Sequence, residues 1–303
     1  MHEQFANRLP AMVERTNISG LHEIGEWRYF ISEGGRRNCL SGKYLFPRPY
    51  DFWRACKMQK DISQFISVCA DFIRGIELTS KNDAYKYSVI VPPANYSPWL
   101  TDDLFMASYA SLRENTLVDV YRCYELWSLV EQSARLEGDI LEVGVWRGGT
   151  GCLMAVKAKL LNLKSRVFLA DTFSGVVKAG KMDTSYTGGE HSDTSVEVVL
   201  KAKENLKLDN VDILVGIFPE KTGEYTKDSL FSLCHIDVDV YESARDVLDW
   251  VWPKLLVGGT VVFDDYGCIS TSGVTRLVNE RKNTPNAVVI HNLNGHAIMV
   301  KTA

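Results

Sequence analysis

From Gly138 to the C terminus, short apolar runs alternate with longer stretches that carry a helical apolar period. Strands separated by helices run parallel, because a parallel pair needs a crossover long enough to hold a helix. The runs predict strands at Asp139–Val145, Arg166–Ala170, Val211–Val215, Leu233–Asp239 and Gly259–Phe263. Helices are predicted to about Leu161, from a cap near Asp193-Thr194, from about Glu242 to Leu255, and over Thr271–Arg281. Val288–Asn292 and His296–Lys301 then flank Leu293-Asn294-Gly295, a hairpin signal. The expected architecture is an α/β fold: a mostly parallel seven-stranded sheet with an antiparallel C-terminal hairpin. In such a sheet, ligands bind outside the carboxyl ends of the strands.

Residues 1–95 lack this alternation and read as an N-terminal extension, with Val91-Pro92-Pro93 as the boundary to a domain over 96–303. The extension is a candidate for acceptor selection or for a homo-oligomer contact. Within it, 52–76 has helical spacing. Residues 100–136 also read as helical, with Thr101-Asp102-Asp103 as an N-cap and acidic first turn. Thr116 is expected to cap the next helix, with Leu117, Val120, Tyr121, Tyr124, Leu126 and Leu129 as its apolar face. A net charge of -4 argues against a chain built to grip nucleic acid. No run approaches the roughly 20 apolar residues of a membrane span, and the polar N terminus lacks a signal-peptide core. The seven cysteines are scattered without a Cys-x-x-Cys, as expected of reduced core residues in a cytoplasmic protein.

Two acidic pairs end successive apolar runs: Asp237 with Asp239, and Asp264 with Asp265. Carboxylates at the ends of buried strands are costly unless positive charge meets them, and a hard cation with oxygen ligands suits them. Either pair alone reads more simply as solvated loop acids. Both together, beside a glycine turn, favour a metal site. The turn, Glu142-Val143-Gly144-Val145-Trp146-Arg147-Gly148-Gly149, has Gly-x-x-x-Gly-Gly spacing rather than the dinucleotide fingerprint. Glu142 beside it suits an ammonium group, and Asp171, at the end of the second strand, suits ribose hydroxyls. An amino acid joined to a nucleoside fits this pair better than a pyrophosphate does. An NAD-dependent oxidoreductase and a non-catalytic ligand-binding module remain the alternatives.

Four segments in order resemble the macrocin O-methyltransferase family, which includes the tylosin, mycinamicin and novobiocin sugar O-methyltransferases. They are Glu142–Gly149, Asp171-Thr172-Phe173-Ser174-Gly175, His235–Ser243 and Phe263-Asp264-Asp265-Tyr266-Gly267. The resemblance runs from about Tyr96 to the C terminus. It implies a Rossmann-like class I methyltransferase fold, S-adenosylmethionine (SAM) as methyl donor and a divalent metal, usually Mg²⁺. It also implies a small-molecule hydroxyl acceptor, a sugar or glycosylated natural product. By the same resemblance, Glu142, Gly144, Val145 and Trp146 lie along the methionine part of SAM. Asp171 binds the ribose with Thr172 and Phe173 beside it, Ile217 and Phe218 form an adenine wall, and Thr116 belongs to a segment that closes over SAM. Asp237, Asp264 and Asp265 hold the metal, which leaves Asp239 as the base. The chemistry is coherent: a sugar hydroxyl is a poor nucleophile at neutral pH, and a Lewis acid with a nearby base favours its alkoxide.

Other residues carry weaker signals. His191, in a polar loop over 176–193, reads as solvent-exposed rather than as part of a lid. His235 reads as a packed, hydrogen-bonded residue. Tyr241 and Tyr266 either line the acceptor pocket or cover the sheet end, and Trp250-Val251-Trp252 reads as helix packing on the sheet.

Overall fold

The computed structural model describes residues 96–303 without a break, parts of 69–94, and the strands at 28–33 and 36–41. The chain divides between Val68 and Cys69 into two units. In the first, β1 (Arg28–Glu33) pairs antiparallel with β2 (Arg36–Ser41). Most of the helix expected over 52–76 and the Pro92-Pro93 break lie outside the described residues. The second unit opens with a short antiparallel pair, β3 (Glu77–Leu78) and β4 (Tyr87–Ser88).

Seven strands then form one sheet: β5 (Asp139–Val143), β6 (Val167–Asp171), β7 (Val211–Val215), β8 (Phe231–Ile236), β9 (Leu255–Phe263), β10 (Ala287–His291) and β11 (Ala297–Lys301). Their order is β10-β11-β9-β8-β5-β6-β7. β5 to β9 are parallel, while β11 is antiparallel to both β9 and β10. This is the mostly parallel sheet with a C-terminal hairpin that the sequence implied. The chain steps from β5 outward to β6 and β7, then returns to β8 on the other side of β5. The reversal opens a crevice at the carboxyl ends of β5 and β8, the usual ligand position in an open sheet.

Two strand ends differ from expectation. β5 stops at Val143 and β8 at Ile236, so Gly144, Asp237 and Asp239 lie in the loops beyond. Strand alternation therefore does not place Asp237 and Asp239 on one face. Asp239 instead takes a left-handed backbone with φ of 64°.

Helices cover both faces: α1 (Asp103–Leu112), α2 (Val120–Ser133), α3 (Gly149–Leu160), α4 (Val196–Asn205), α5 (Tyr241–Val251) and α6 (Ser272–Arg281). The two-residue period of the strands divides the interior into two cores. Ile140, Val167, Leu169, Leu233 and Val262 face α1 to α3, whose Phe105, Trp127 and Met154 pack on them. Leu141, Phe168, Cys234, Val261 and Phe263 face the opposite side, packing with Val247, Leu248 and Leu277 of α5 and α6. Phe105 and Trp127 are almost fully buried, and each such aromatic contributes about 2–3 kcal/mol of burial. Trp250 packs on Phe218 and Phe231, as its sequence context implied. Cys123, Cys152 and Cys234 are free and buried.

The cap of α1 falls within the expected Thr101-Asp102-Asp103 segment, but on Asp102, which accepts from the Phe105 N–H, with Asp103 as the acidic first turn. Thr116 does not cap α2. Its hydroxyl accepts from Val118 N, and Asp119 is the cap, accepting from Tyr121 and Arg122 N–H groups. The shift moves the buried face of α2 to Cys123, Leu126, Trp127 and Val130, spaced i, i+3, i+4, i+7. Leu117 and Tyr121 remain exposed. Among the described residues, no helix is long and apolar enough to cross a membrane.

Candidate active site

The glycine turn after β5 and the acidic loop after β8 touch. Asp237 N–H donates to the Val143 carbonyl at 2.9 Å, continuing the parallel ladder one step. Gly144 has φ of +90°, and a Cβ there would fall 1.6 Å from the Asp237 carbonyl oxygen. Only glycine fits this approach. The turn and the carboxylates are thus fixed to each other through backbone.

Asp171 braces the turn from β6. Its Oδ2 accepts from Val145 and Trp146 N–H at 2.7 and 2.8 Å, and its Oδ1 accepts from Phe173 N–H at 2.6 Å. The Thr172 hydroxyl donates to the Gly175 carbonyl and accepts from Ser174 N–H. Thr116 reaches the start of α3, where a Cβ at Gly149 would meet its Cβ at 2.6 Å. Gly144, Val145, Trp146, Asp171, Phe173 and Thr116 therefore cluster around one turn. Glu142 does not open onto it. It is fully buried, and its Oε1 lies 2.9 Å from His235 Nδ1. Alternation along β5 explains this, since Glu142 shares the parity of Ile140 and points into the core beneath α3. Phe218 also points inward, onto Trp250, while Ile217 is partly exposed.

The four aspartates converge but divide into two sets. Asp237, Asp239 and Asp265 each bring one oxygen within 4.8 Å of the others, and all three are part-exposed. Burial, then the charge of Asp264, holds the Asp237 carboxyl well above the usual range, and the same two causes act on Asp265. Burial also raises Asp239, against a hydrogen bond from Tyr186. Asp264 is buried and turned the other way. Its Oδ1 lies 2.8 Å from His296 Nε2, and its Oδ2 accepts from Arg122 Nη1. Burial opposes its ionisation, but the two histidines and Arg122 hold its carboxyl well below the usual range. The family resemblance grouped Asp264 with Asp237 and Asp265, whereas the side chains group Asp239 with them.

Arg122 links the sets. Its Nη1 also reaches Asp265 Oδ1 at 2.9 Å, and its Nε donates to Asp119 at 2.8 Å. Neither Arg122 nor His296 stood out in the sequence. The i,i+3 spacing of Asp119 and Arg122 was the only local sign.

The loop over 176–194 is strapped down at both ends. Asp193 accepts from Trp146 Nε1 at 2.9 Å and from Arg147 Nη2 at 2.8 Å, next to the glycine turn. Asp183 accepts from Tyr241 N–H at the start of α5, and Thr184 meets Ser272 of α6. Between these anchors, the Tyr186 hydroxyl bonds Asp239 and lies 3.3 Å from His191 Nε2. His191 lies 4.0 Å from Asp239, so this histidine is exposed yet stands beside the acidic set. Burial and the Asp239 charge raise the Tyr186 pKa. His235 is packed and hydrogen-bonded, as expected. Tyr266 is buried against His291 and bonds Asn279, so it covers the sheet end.

Demethyldecarbamoylnovobiocin O-methyltransferase of Streptomyces niveus is 31% identical over 166 residues, half of this chain and 62% of that protein. Mycinamicin III 3''-O-methyltransferase of Micromonospora griseorubida is 30% identical over 169 residues, 51% of this chain and 66% of that protein. The matches thus span less than two thirds of either relative. The solved structure of the O-methyltransferase NovP superposes with a TM-score of 0.52 at 26% identity, covering 62% of this chain and 83% of that one. The profile of the macrocin-O-methyltransferase (TylF) family matches residues 111–292, more than half the chain and all four aspartates. The chain therefore belongs to the macrocin-O-methyltransferase (TylF) family.

Proposed function

We propose that this protein transfers a methyl group from SAM to a hydroxyl of a sugar or glycosylated natural product, with a hard divalent ion bound. The observation that carries the reading is the carboxylate set fixed by backbone against the glycine turn at the β5/β8 crevice. The sugar O-methyltransferase names of the relatives support the acceptor class.

The turn fits SAM. Asp171 gives three of roughly four carboxylate positions to backbone N–H groups, so one acceptor direction remains for a ribose hydroxyl. Gly144 keeps the turn free of side-chain bulk, Trp146 stands at its mouth with φ of 47°, and Thr116 lies above the α3 N terminus. Glu142 shapes the turn from beneath. The acidic set fits a hard cation, because its donors are all oxygen, and burial with the nearby Asp264 charge keeps Asp237 and Asp265 hard to ionise without one. We assign the ion to Asp237 and Asp265, with Asp264 as the third ligand by family resemblance, and the base role to Asp239.

When bound, SAM supplies an electrophilic methyl on sulfonium, and a divalent ion supplies charge that favours an ionised acceptor hydroxyl. The chain's own residues do the rest. Asp239 takes the hydroxyl proton, and its left-handed backbone and Tyr186 contact aim the carboxylate. Such a base contributes about 10²–10⁴ in rate. Arg122 holds Asp264 and Asp265 side by side. The strapped loop brings Tyr186 and His191 to Asp239.

The test is a pair of titrations followed by an acceptor panel. SAM should bind and NAD(H) should not, and sugar-bearing acceptors should gain a methyl group only with a divalent ion present. Binding of NAD(H) without SAM would reject the reading in favour of an oxidoreductase. SAM binding without transfer to any acceptor would reject it in favour of a non-catalytic module.

A further inference from the structure

Beneath the open carboxylates lies a second group of metal-ligating atoms, closed to solvent. His235 Nε2, Asp264 Oδ1 and His296 Nε2 all lie within 4.8 Å of one another. His296 Nε2 is 2.8 Å from Asp264 Oδ1, and His235 Nε2 is 3.7 Å from the same oxygen. Two donors about 2.1 Å from a tetrahedral zinc ion stand about 3.4 Å apart. The two observed separations bracket that value, so small side-chain shifts would admit an ion.

The outer ring nitrogens are already committed in the manner of metal-bound imidazoles. His235 Nδ1 meets Glu142 Oε1 at 2.9 Å, and His296 Nδ1 meets Glu125 Oε2 at 2.6 Å. A carboxylate on Nδ1 fixes the tautomer whose Nε2 lone pair points to the metal, and it raises ligand basicity. Asn292 and Asn294, around the β10–β11 turn, hold Glu125 in turn. A separate observation points the same way. His235 Nε2 is fully buried and aimed into the group, but Asp264 Oδ1 at 3.7 Å is too far to satisfy it with a well-formed hydrogen bond. Buried polar atoms in folded proteins are almost always paired, so an orphan here calls for a partner.

We propose that His235, Asp264 and His296 form a second cation site that binds a borderline divalent ion of the zinc type through two imidazole nitrogens and one carboxylate oxygen. Nitrogen donors favour such an ion, whereas the all-oxygen set above favours Mg²⁺, so ligand chemistry sorts the two metals. The three ligands are at most 3% exposed, so the ion is shut off from bulk solvent, and a buried water completes its four-coordinate shell. It joins β8, the end of β9 and the start of β11, pinning the C-terminal hairpin to the strands that carry the open carboxylates. Asp264 Oδ2 stays on the side of Arg122 and Asp265. The site does not depend on methyl transfer, and His296 lies beyond the residues matched by the family profile.

The test uses the full chain, stripped of metal, then equilibrated with Zn²⁺ in excess Mg²⁺ and dialysed. Plasma mass spectrometry should find stoichiometric Zn²⁺ in the wild type and in Asp237→Asn, and loss of it in His296→Gln. Replacing Zn²⁺ with Co²⁺ should give the strong visible bands of a four-coordinate, nitrogen-bearing site, a readout on wild type that stands even if His296→Gln fails to fold. The proposal is overturned if wild type keeps no Zn²⁺. It is equally overturned if Zn²⁺ is lost in Asp237→Asn but kept in His296→Gln, or if Co²⁺ shows only the weak spectrum of octahedral oxygen ligation.

Discussion

Replacing Arg122 with methionine should destabilise the metal-free protein by about 3–5 kcal/mol near neutral pH, the usual cost of removing one partner from a buried ion pair. The side chain is 13% exposed, and its partners Asp264 and Asp265 are 3% and 24% exposed. Asp119, at 42% exposed, adds less than about 1 kcal/mol, because solvent screens that pair. Methionine keeps most of the stem's packing, so the loss is chiefly electrostatic. The pH dependence follows from the sign of the shift. Without the guanidinium, Asp264 loses one of the charges that hold its folded-state pKa below the usual range, and the folded-state pKa of Asp265, already raised, rises further. The native variant then holds protons that its unfolded chain has released, and its stability falls as pH rises through that window. The gap to wild type should therefore widen from about pH 5 to about pH 8. Urea unfolding at fixed ionic strength, in chelator, measures it. A loss below about 1 kcal/mol, or one equal at both pH values, would refute Arg122 as the counter-charge of the acidic set.

Three further outcomes are expected. Gly151→Ala should cost about 1–3 kcal/mol in thermal unfolding, because the new Cβ would fall 2.3 Å from both Glu142 Oε2 and Leu169 Cδ2; an unchanged midpoint would show that the β5–α3 contact yields easily. Asp239→Asn should lower kcat by about 10²–10⁴ while Mg²⁺ affinity persists, and a wild-type rate would remove it as the base. Tyr186→Phe should lower kcat by about 3–10-fold, the scale of one hydrogen bond, with SAM affinity unchanged. A change confined to SAM binding would place Tyr186 elsewhere in the site.

The sheet was legible because its strands announce themselves by β-branched runs and its crossovers by helical period. That information is local and repeats along the chain. The strand ends were less legible. Asp237 and Asp239 continue the apolar alternation of β8, yet the chain leaves the ladder at Ile236 and turns left-handed at Asp239. Glu142 illustrates a second limit. Its position beside a glycine turn suggests ligand contact, but strand parity sends it into the core, where its partner His235 is 93 residues away. Arg122 and His296 were invisible for the same reason. Each acts across 142 and 32 residues on Asp264, and nothing near either residue encodes that meeting. His191 read as a surface residue and is exposed, but two anchored loop ends bring it to Asp239. Long-range pairing, rather than residue type, decided the roles.

The central claim is that the carboxylate set, with a divalent ion, drives methyl transfer from SAM. Its most direct measurement is single-turnover transfer of a labelled methyl to a sugar acceptor by wild type and Asp237→Asn, with SAM affinity determined on the same preparations. The account predicts Mg²⁺-dependent transfer by wild type, loss of transfer by at least about 10²-fold in Asp237→Asn, and SAM affinity within about threefold in both. Full transfer by Asp237→Asn, or by wild type in excess chelator, would contradict it.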